Sequence, residues 1–245
     1  MSAVLRLVGV SRGFPRGRER VMVLRDASVD VEVGRLVAVL GGRGAGKTTL
    51  IRVASGTLSA DEGDVFIDGQ PMAEITDSGL SDLLAVKVGL AGRDGPDAKL
   101  DVASYVEMRL AATRNYSNRQ RRQHVTRTLR EYDLAGTERL MWGELSDWQR
   151  VAVELVQAVI AKPRLLLIDD ILDGLPRTCK DTALEWLEGF ARDLGCAVLM
   201  VVSDHTTASR GSQVYQLTNG HLRLMHTDPD IINLQDRRAV GGAAG

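Results

Sequence analysis

Cysteine is nearly absent: Cys179 and Cys196 are the only two in 245 residues. Their spacing fits no metal-ligand pattern, and two cysteines make no disulfide framework for a chain of this size. A reducing, cytoplasmic setting is the expectation. Long apolar runs are missing too. Runs such as Leu165–Ile168 and Ala197–Val202 are strand length, far short of the roughly 18 residues a membrane helix needs. Arg6 interrupts the N-terminal stretch, so no signal peptide is read there. Any work at a membrane is therefore expected to go through a partner. Charge of one sign is also lacking. The net charge of −1 gives no global field toward nucleic acid, and no nucleic-acid partner is expected. No internal repeat is visible.

What is present is ordinary globular material, 44% apolar and 26% charged, enough for one large domain or two modest lobes. Val4–Val8 alternates loosely as a strand, and Val21–Val33 continues in that style. Gly34 turns the chain into Leu36–Leu40, a fully apolar strand. A glycine-rich loop follows, then a helix from about Lys47 to Ser55 and a short strand at Asp64–Asp68. Strand, strand, loop and helix in that order suit a nucleotide-binding α/β core.

The character changes between about 101 and 136. Val102, Tyr105, Val106 and Leu110 form one helical stripe, and Val125, Leu129 and Tyr132 another. This stretch reads as two or three helices inserted into the core. From Arg109 to Arg130 it holds seven arginines and no acid. Three readings stay open: a solvated helix face, a docking face for an acidic partner or anionic lipid surface, and RNA binding, which the presence of Tyr116 as sole aromatic disfavours. The α/β pattern then returns. Ser146–Ala161 is a helix, Leu165–Asp169 a buried strand, Thr178–Leu194 a helix and Ala197–Ser203 a second buried strand. Val214–Leu217 and Leu222–Met225 flank an Asn219-Gly220 turn as a terminal hairpin. Residues beyond about Arg237 are rich in Ala and Gly and read as a frayed tail.

Gly41-Gly42-Arg43-Gly44-Ala45-Gly46-Lys47-Thr48 fits G-x-x-x-x-G-K-[ST]. Its glycines let backbone N–H groups turn toward phosphate oxygens. The helix that follows adds its positive N-terminal end. Lys47 is a point charge for terminal phosphates, and the Thr48 hydroxyl can ligate Mg²⁺. The context carries the specificity, because the pattern follows an apolar strand and opens a helix. A second apolar strand, Leu165–Ile168, ends in Asp169, an acid placed to hold Mg²⁺ beside such a loop.

With these residues in place, the sequence resembles the ATP-binding subunit of ABC transporters from Val4 to about Met225. The resemblance implies an α/β fold: a P-loop NTPase core with an N-terminal antiparallel β subdomain and a helical insertion. It implies one nucleotide-binding domain over 1–245, with core at 1–100 and 137–228, helical subdomain at about 101–136, and flexible tail at about 237–245. ATP and Mg²⁺ are the implied cofactors. The implied partners are an integral membrane transporter subunit and a second ATP-binding subunit, either a copy of this chain or a homologue. The implied place is the cytoplasmic face of the membrane, held peripherally. Phe14 matches the aromatic that stacks on adenine, Gly41 through Thr49 match the phosphate loop in full, and Asp169 matches the Mg²⁺-side acid.

The departures lie at the positions that handle water and γ-phosphate. Where the family has a Glu that polarises the attacking water, Asp170 stands, one methylene shorter. A shift near 1 Å in such a base costs about 10²-fold. The signature L-S-G-G-Q reads Leu145-Ser146-Asp147-Trp148-Gln149. Ser146 and Gln149 are kept, but a carboxylate and an indole replace the glycines. Asp147 is expected to repel a γ-phosphate and Trp148 to hinder close backbone approach. The loop at Val88–Gly92 leads to Arg93 in place of a Gln that senses Mg²⁺ and water. Arginine can pair with phosphate but cannot ligate a cation. Pro176 replaces an Asp farther on. The switch histidine's slot falls to Asp204, or to His205 if the loop shifts by one, with strand register favouring Asp204. The expectation is an ATP–Mg²⁺-binding transporter subunit with weak or absent hydrolysis. A fully active ATPase using Asp170, and a nucleotide-dependent scaffold outside transport, are the alternatives.

Overall fold

The computed structural model describes residues 3–93, 95–96, 100–113 and 115–227. The tail expected at about 237–245 lies outside them. Two long strands open the chain, β1 (Ala3–Arg16) and β2 (Glu19–Glu32), paired antiparallel. After β3 (Leu36–Gly41) and α1 (Lys47–Ala54) come β4 (Glu62–Ile67) and β5 (Gln70–Pro71). These complete a four-stranded antiparallel sheet in the order β2-β1-β4-β5, the subdomain expected at the N-terminus.

Next follow α2 (Asp77–Val86), β6 (Val88–Ala91), α3 (Val102–Ala112), α4 (Asn118–Glu131) and α5 (Asp147–Val159). Then come β7 (Leu165–Asp169), α6 (Arg177–Leu194), β8 (Ala197–Val202), the one-turn α7 (His205–Ala208), and the hairpin β9 (Gln213–Thr218) and β10 (His221–Thr227). The second sheet has the order β10-β9-β3-β8-β7-β6. Its pairings from β9 through β6 are parallel, and β10 closes it antiparallel.

Central strands covered on both faces have no polar side, which is why β3 and β8 read as continuous apolar runs. Their side chains alternate between two cores. Val37, Val39, Leu165, Leu167, Leu199 and Val201 point toward α1 and the inner face of the antiparallel sheet. Ala38, Leu166, Ile168, Val198, Met200 and Val202 point the other way, onto α5 and α6. Cys196 sits in that second core, where burial pushes its thiol up to about 12.

The structure corrects the sequence reading at one strand. Val88–Gly92, taken as a loop, begins with the edge strand β6, in parallel register with β7 from Val88↔Leu165 to Ala91↔Ile168. A Cβ on Gly89 would lie 2.3 Å from the Ala158 carbonyl, so glycine is what lets α5 press directly on this strand. The insertion also packs against α5. Its core joins Val106 and Leu110 of α3 and Val125 and Leu129 of α4 to Ala152, Val153 and Val156 of α5. Part of its arginine run is internal wiring. Arg109 donates to the Leu84 and Val88 carbonyls, and Arg121 bonds Glu107 at 3.1 Å.

Candidate functional site

Parallel strands place the residues that follow them at one end of the sheet, and ligands of such folds gather there. The register does this concretely: Leu40 pairs with Val202 and Asp169 with Val201. The chain after β3, β7 and β8 therefore converges on one place, with the end of β6 beside it. A cleft of about 1250 Å³ opens there.

The loop after β3 turns through left-handed glycines, Gly44 at φ +78° and Gly46 at φ +104°. A Cβ on Gly46 would sit 2.8 Å from Val23 Cγ1, so no other residue fits this turn without displacing β2. Gly42, Arg43, Gly44, Gly46, Lys47, Thr48 and Thr49 line the cleft. Gly41 is buried at the end of β3, and Ala45 packs toward the first core.

Lys47 is only 8% exposed, and its ammonium is already satisfied. It donates to Gly41 O at 2.7 Å, Gly42 O at 3.3 Å and Ser203 Oγ at 2.7 Å. It also faces Asp170 Oδ2 at 3.2 Å. The Ser203 hydroxyl donates in turn to both Asp170 oxygens, at 2.9 and 3.2 Å. Ser203 was not among the residues singled out from the sequence. The available signal was its place as the first polar residue after the apolar strand β8.

Thr48 Oγ1 donates to Asp169 Oδ1 at 3.2 Å. Burial pushes the Asp169 pKa above the ordinary carboxylate value; Asp170 adds to the rise, while the Thr48 hydroxyl and Lys47 oppose it. A hydroxyl and a desolvated carboxylate side by side, both oxygen donors, suit a hard cation such as Mg²⁺. Among the described residues no group of three His, Cys, Asp or Glu could hold a metal. A cation here therefore needs phosphate oxygens as well, which is how Mg²⁺ is held in nucleotide sites.

Asp170 sits in left-handed backbone at φ +53°. Its N–H donates to Val201 O at 3.1 Å, and its carbonyl accepts from Arg93 Nε at 2.8 Å. Arg93 reaches on to the Asp173 carbonyl at 3.1 Å and the Asp173 carboxylate at 3.3 Å. Phe14 lies half-buried at the cleft, with the Arg12 guanidinium 5.2 Å from its ring centroid.

The remaining candidates are not in this cleft. Asp204 caps α7, accepting from Thr207 N at 2.8 Å and Thr207 Oγ1 at 2.7 Å, and pairs with Lys180 at 3.1 Å. His205 is exposed in the first turn of α7, and neither residue lines the cleft. Ser146 and Gln149 are occupied with each other. The Ser146 hydroxyl accepts from Gln149 N at 3.2 Å and Gln149 Oε1 from Ser146 N at 2.9 Å, a capping box on α5. Asp147 points out, its side chain 87% exposed beside Arg150. Trp148 does not follow the expectation of an obstacle: its indole turns inward onto Trp186, centroids 5.3 Å apart. Aromatic area is better buried than left at a helix tip, and α6 offers the partner.

Known proteins bear the same architecture. The dimeric ATP-binding cassette MJ0796, in a post-hydrolysis state with ADP and Pi, matches with a TM-score of 0.85 at 22% identity, over 90% of this chain and 97% of that one. The cbiO1 subunit from Clostridium perfringens matches with a TM-score of 0.77 at 18% identity, over 99% and 96%. At those identities the likeness concerns the fold. In sequence, the lipoprotein-releasing system ATP-binding protein LolD of Chromohalobacter salexigens is 28% identical over 89% of this chain and 92% of its own length. The macrolide export ATP-binding/permease protein MacB of Mannheimia succiniciproducens is 27% identical over 89% of this chain and 34% of its own length. The profile of the ABC transporter family matches residues 24–173. The chain belongs to the ABC transporter family as one of its ATP-binding domains.

Proposed function

We propose that this chain binds ATP with Mg²⁺ as a subunit of a membrane transporter complex, and that it turns ATP over slowly or not at all. The observation that carries the reading is the contrast around Lys47. The residues this reading assigns to phosphate and cation run from Gly41 to Thr49 and include Asp169. The neighbouring carboxylate of Asp170 is engaged with Lys47 and Ser203, at 3.2 Å and 2.9 Å. A base spent on a lysine and a hydroxyl is poorly disposed to take a proton from water. Arg93 has no lone pair to offer a cation and is engaged with the Asp170 and Asp173 carbonyls, and Asp204 is committed to a helix cap.

No helix among the described residues is long and apolar enough to cross a membrane; this reading gives the membrane span to a permease. MacB is named for both activities, and this chain spans only 34% of it. The place of work is the cytoplasmic face of that permease. Ser146 and Gln149 stand outside the cleft of their own chain, which suits a dimer in which each signature helix faces the other protomer's nucleotide. That second protomer is a copy of this chain or a homologous ATP-binding subunit.

The test is ATP binding and turnover by the purified chain. Expected are Mg²⁺-dependent binding that Lys47→Ala removes, and a kcat well below about 1 s⁻¹. Turnover at about 1–10 s⁻¹ or faster overturns the attenuated reading. It favours the alternative in which Asp170 is the base, and Asp170→Asn then abolishes the rate while sparing binding. The place of Asp170 at the lining of the cleft, directly after Asp169, is what supports that alternative.

A further inference from the structure

We propose that Arg93 is a positioning residue for Asp170, and that the two together restrain Lys47 from phosphate. The inference rests on the reading of Lys47 as the phosphate-binding cation.

Left-handed backbone is unfavourable for an L-residue, so Asp170 is kept at φ +53° by its surroundings. They hold it from both sides. The N–H is fixed by Val201 O on β8 at 3.1 Å. The carbonyl is fixed by Arg93 Nε at 2.8 Å, and the same guanidinium grips the Asp173 carbonyl at 3.1 Å. Pinning both peptide groups of one residue fixes the direction of its side chain. The Asp170 carboxylate then meets Ser203 and Lys47, in a pair where Lys47 is 8% exposed and Asp170 is 21% exposed. A desolvated carboxylate in contact with that ammonium is a rival to an arriving phosphate oxygen. Arg93 is suited to this because its fork bonds two carbonyls at once, which an ammonium on a flexible stem does less well. It also follows β6, so the clamp ties that edge strand to the turn after β7.

The sign of the effect separates this from the simpler idea that Arg93 contacts phosphate itself. If Arg93 touched phosphate, weakening it would loosen ATP. If it holds Asp170 against Lys47, weakening it tightens ATP. Arg93→Lys keeps the positive charge and loses the fork, so it isolates positioning from bulk electrostatics. We expect Arg93→Lys and Asp170→Asn each to tighten ATP–Mg²⁺ binding by about threefold to tenfold by calorimetric titration. Their double variant should be no tighter than the tighter single, because both act through one contact.

Arg93→Gln is the second variant should the lysine form fold poorly, and any tightening it gives must likewise vanish in the Asp170→Asn background. Asp173→Ala, which spares both carbonyl bonds, should leave the affinity unchanged. Weakened or unchanged binding in Arg93→Lys overturns the proposal, and so does full additivity with Asp170→Asn. Lys47→Ala tests the underlying reading separately: unchanged ATP binding there sinks the phosphate-loop assignment, whatever the Arg93 variants do.

Discussion

The indoles of Trp148 and Trp186 lie with centroids 5.3 Å apart and planes inclined by 42°. Tyr132 at the end of α4 meets Trp186 edge-on at 4.9 Å and Phe190 at 5.8 Å. This aromatic cluster bolts the first turn of α5 to α6. Position 148, where the resemblance expects glycine, is thus tied into the packing against α6, while Asp147 points outward. Trp148→Ala should destabilise by about 2–3 kcal/mol, less than a fully buried Trp because the ring is half-buried. It should leave ATP-dependent dimerisation unchanged. Asp147→Gly should cost well under 1 kcal/mol, since its exposed partner Arg150 contributes little, and should strengthen the nucleotide-bound dimer. Thermal unfolding and sedimentation with ATP–Mg²⁺ check the pair. A tighter dimer from Trp148→Ala with Asp147→Gly silent reverses the assignment.

Asp204 carries a different prediction. Burial raises its pKa, but the Thr207 N–H and hydroxyl and Lys180 outweigh burial, and the net shift is downward from 3.8. A lowered acid contributes stability that is present above the unfolded value and lost as pH falls through the folded one. Asp204→Ala should then cost about 1 kcal/mol at pH 7, the usual worth of a helix cap. The difference from wild type should narrow below pH 3.8. ATP affinity should not move. Denaturant midpoints across pH, together with ATP titration, decide whether Asp204 is a cap or a γ-phosphate switch; a change in affinity without loss of stability supports the switch.

What could be read in advance depended on how local the signal was. The strands β3, β7 and β8 announce themselves because both faces are buried and their residues are apolar up to Asp169, which closes β7. The helix α2 escapes notice because Leu83 is its only fully buried residue, and β6 is four residues whose strand character comes from pairing with β7. The site divides the same way. The loop and Asp169 are written in contiguous motifs. Ser203 meets Lys47 across 156 positions, and Arg93 reaches Asp170 across 77, so only the crossing order of the sheet brings them together. The fate of Trp148 was likewise decided by a face of α6 that no signature motif contains.

Asp169 titrates in the opposite sense to Asp204. Burial, with help from Asp170, raises its pKa above 3.8. A raised acid binds its proton more tightly in the folded state, so stability falls as pH rises from 3.8 through the folded value, and the ionised form is a standing cost at pH 7. Asp169→Asn removes that cost and keeps an oxygen to accept from Thr48. It should raise the Tm of the nucleotide-free protein at pH 7, with the gain disappearing below pH 3.8. The same variant should lose the Mg²⁺ dependence of ATP binding, since an amide oxygen is a weak ligand for a hard dication. Titrations in Mg²⁺ and in EDTA check this, and equal enhancement by Mg²⁺ in both proteins would place the cation elsewhere.

Phe14 lines the cleft beside Arg12. Arg12 lies over its ring at 5.2 Å and is itself fixed by the Ser59 carbonyl at 3.0 Å and Asp61 at 2.9 Å. If a purine stacks on this ring as the resemblance implies, that stacking contributes about 1–3 kcal/mol. Phe14→Ala should therefore weaken ATP by about fivefold to 150-fold, while Phe14→Tyr stays near wild type. Inorganic tripolyphosphate, which has no base, should bind both variants as it binds the wild type. GTP should lose as much as ATP, because stacking reads the π-face and not the edge of the base. An equal loss for tripolyphosphate and ATP would mean that the ring supports the loop through β2 at Val23, and that adenine is held elsewhere.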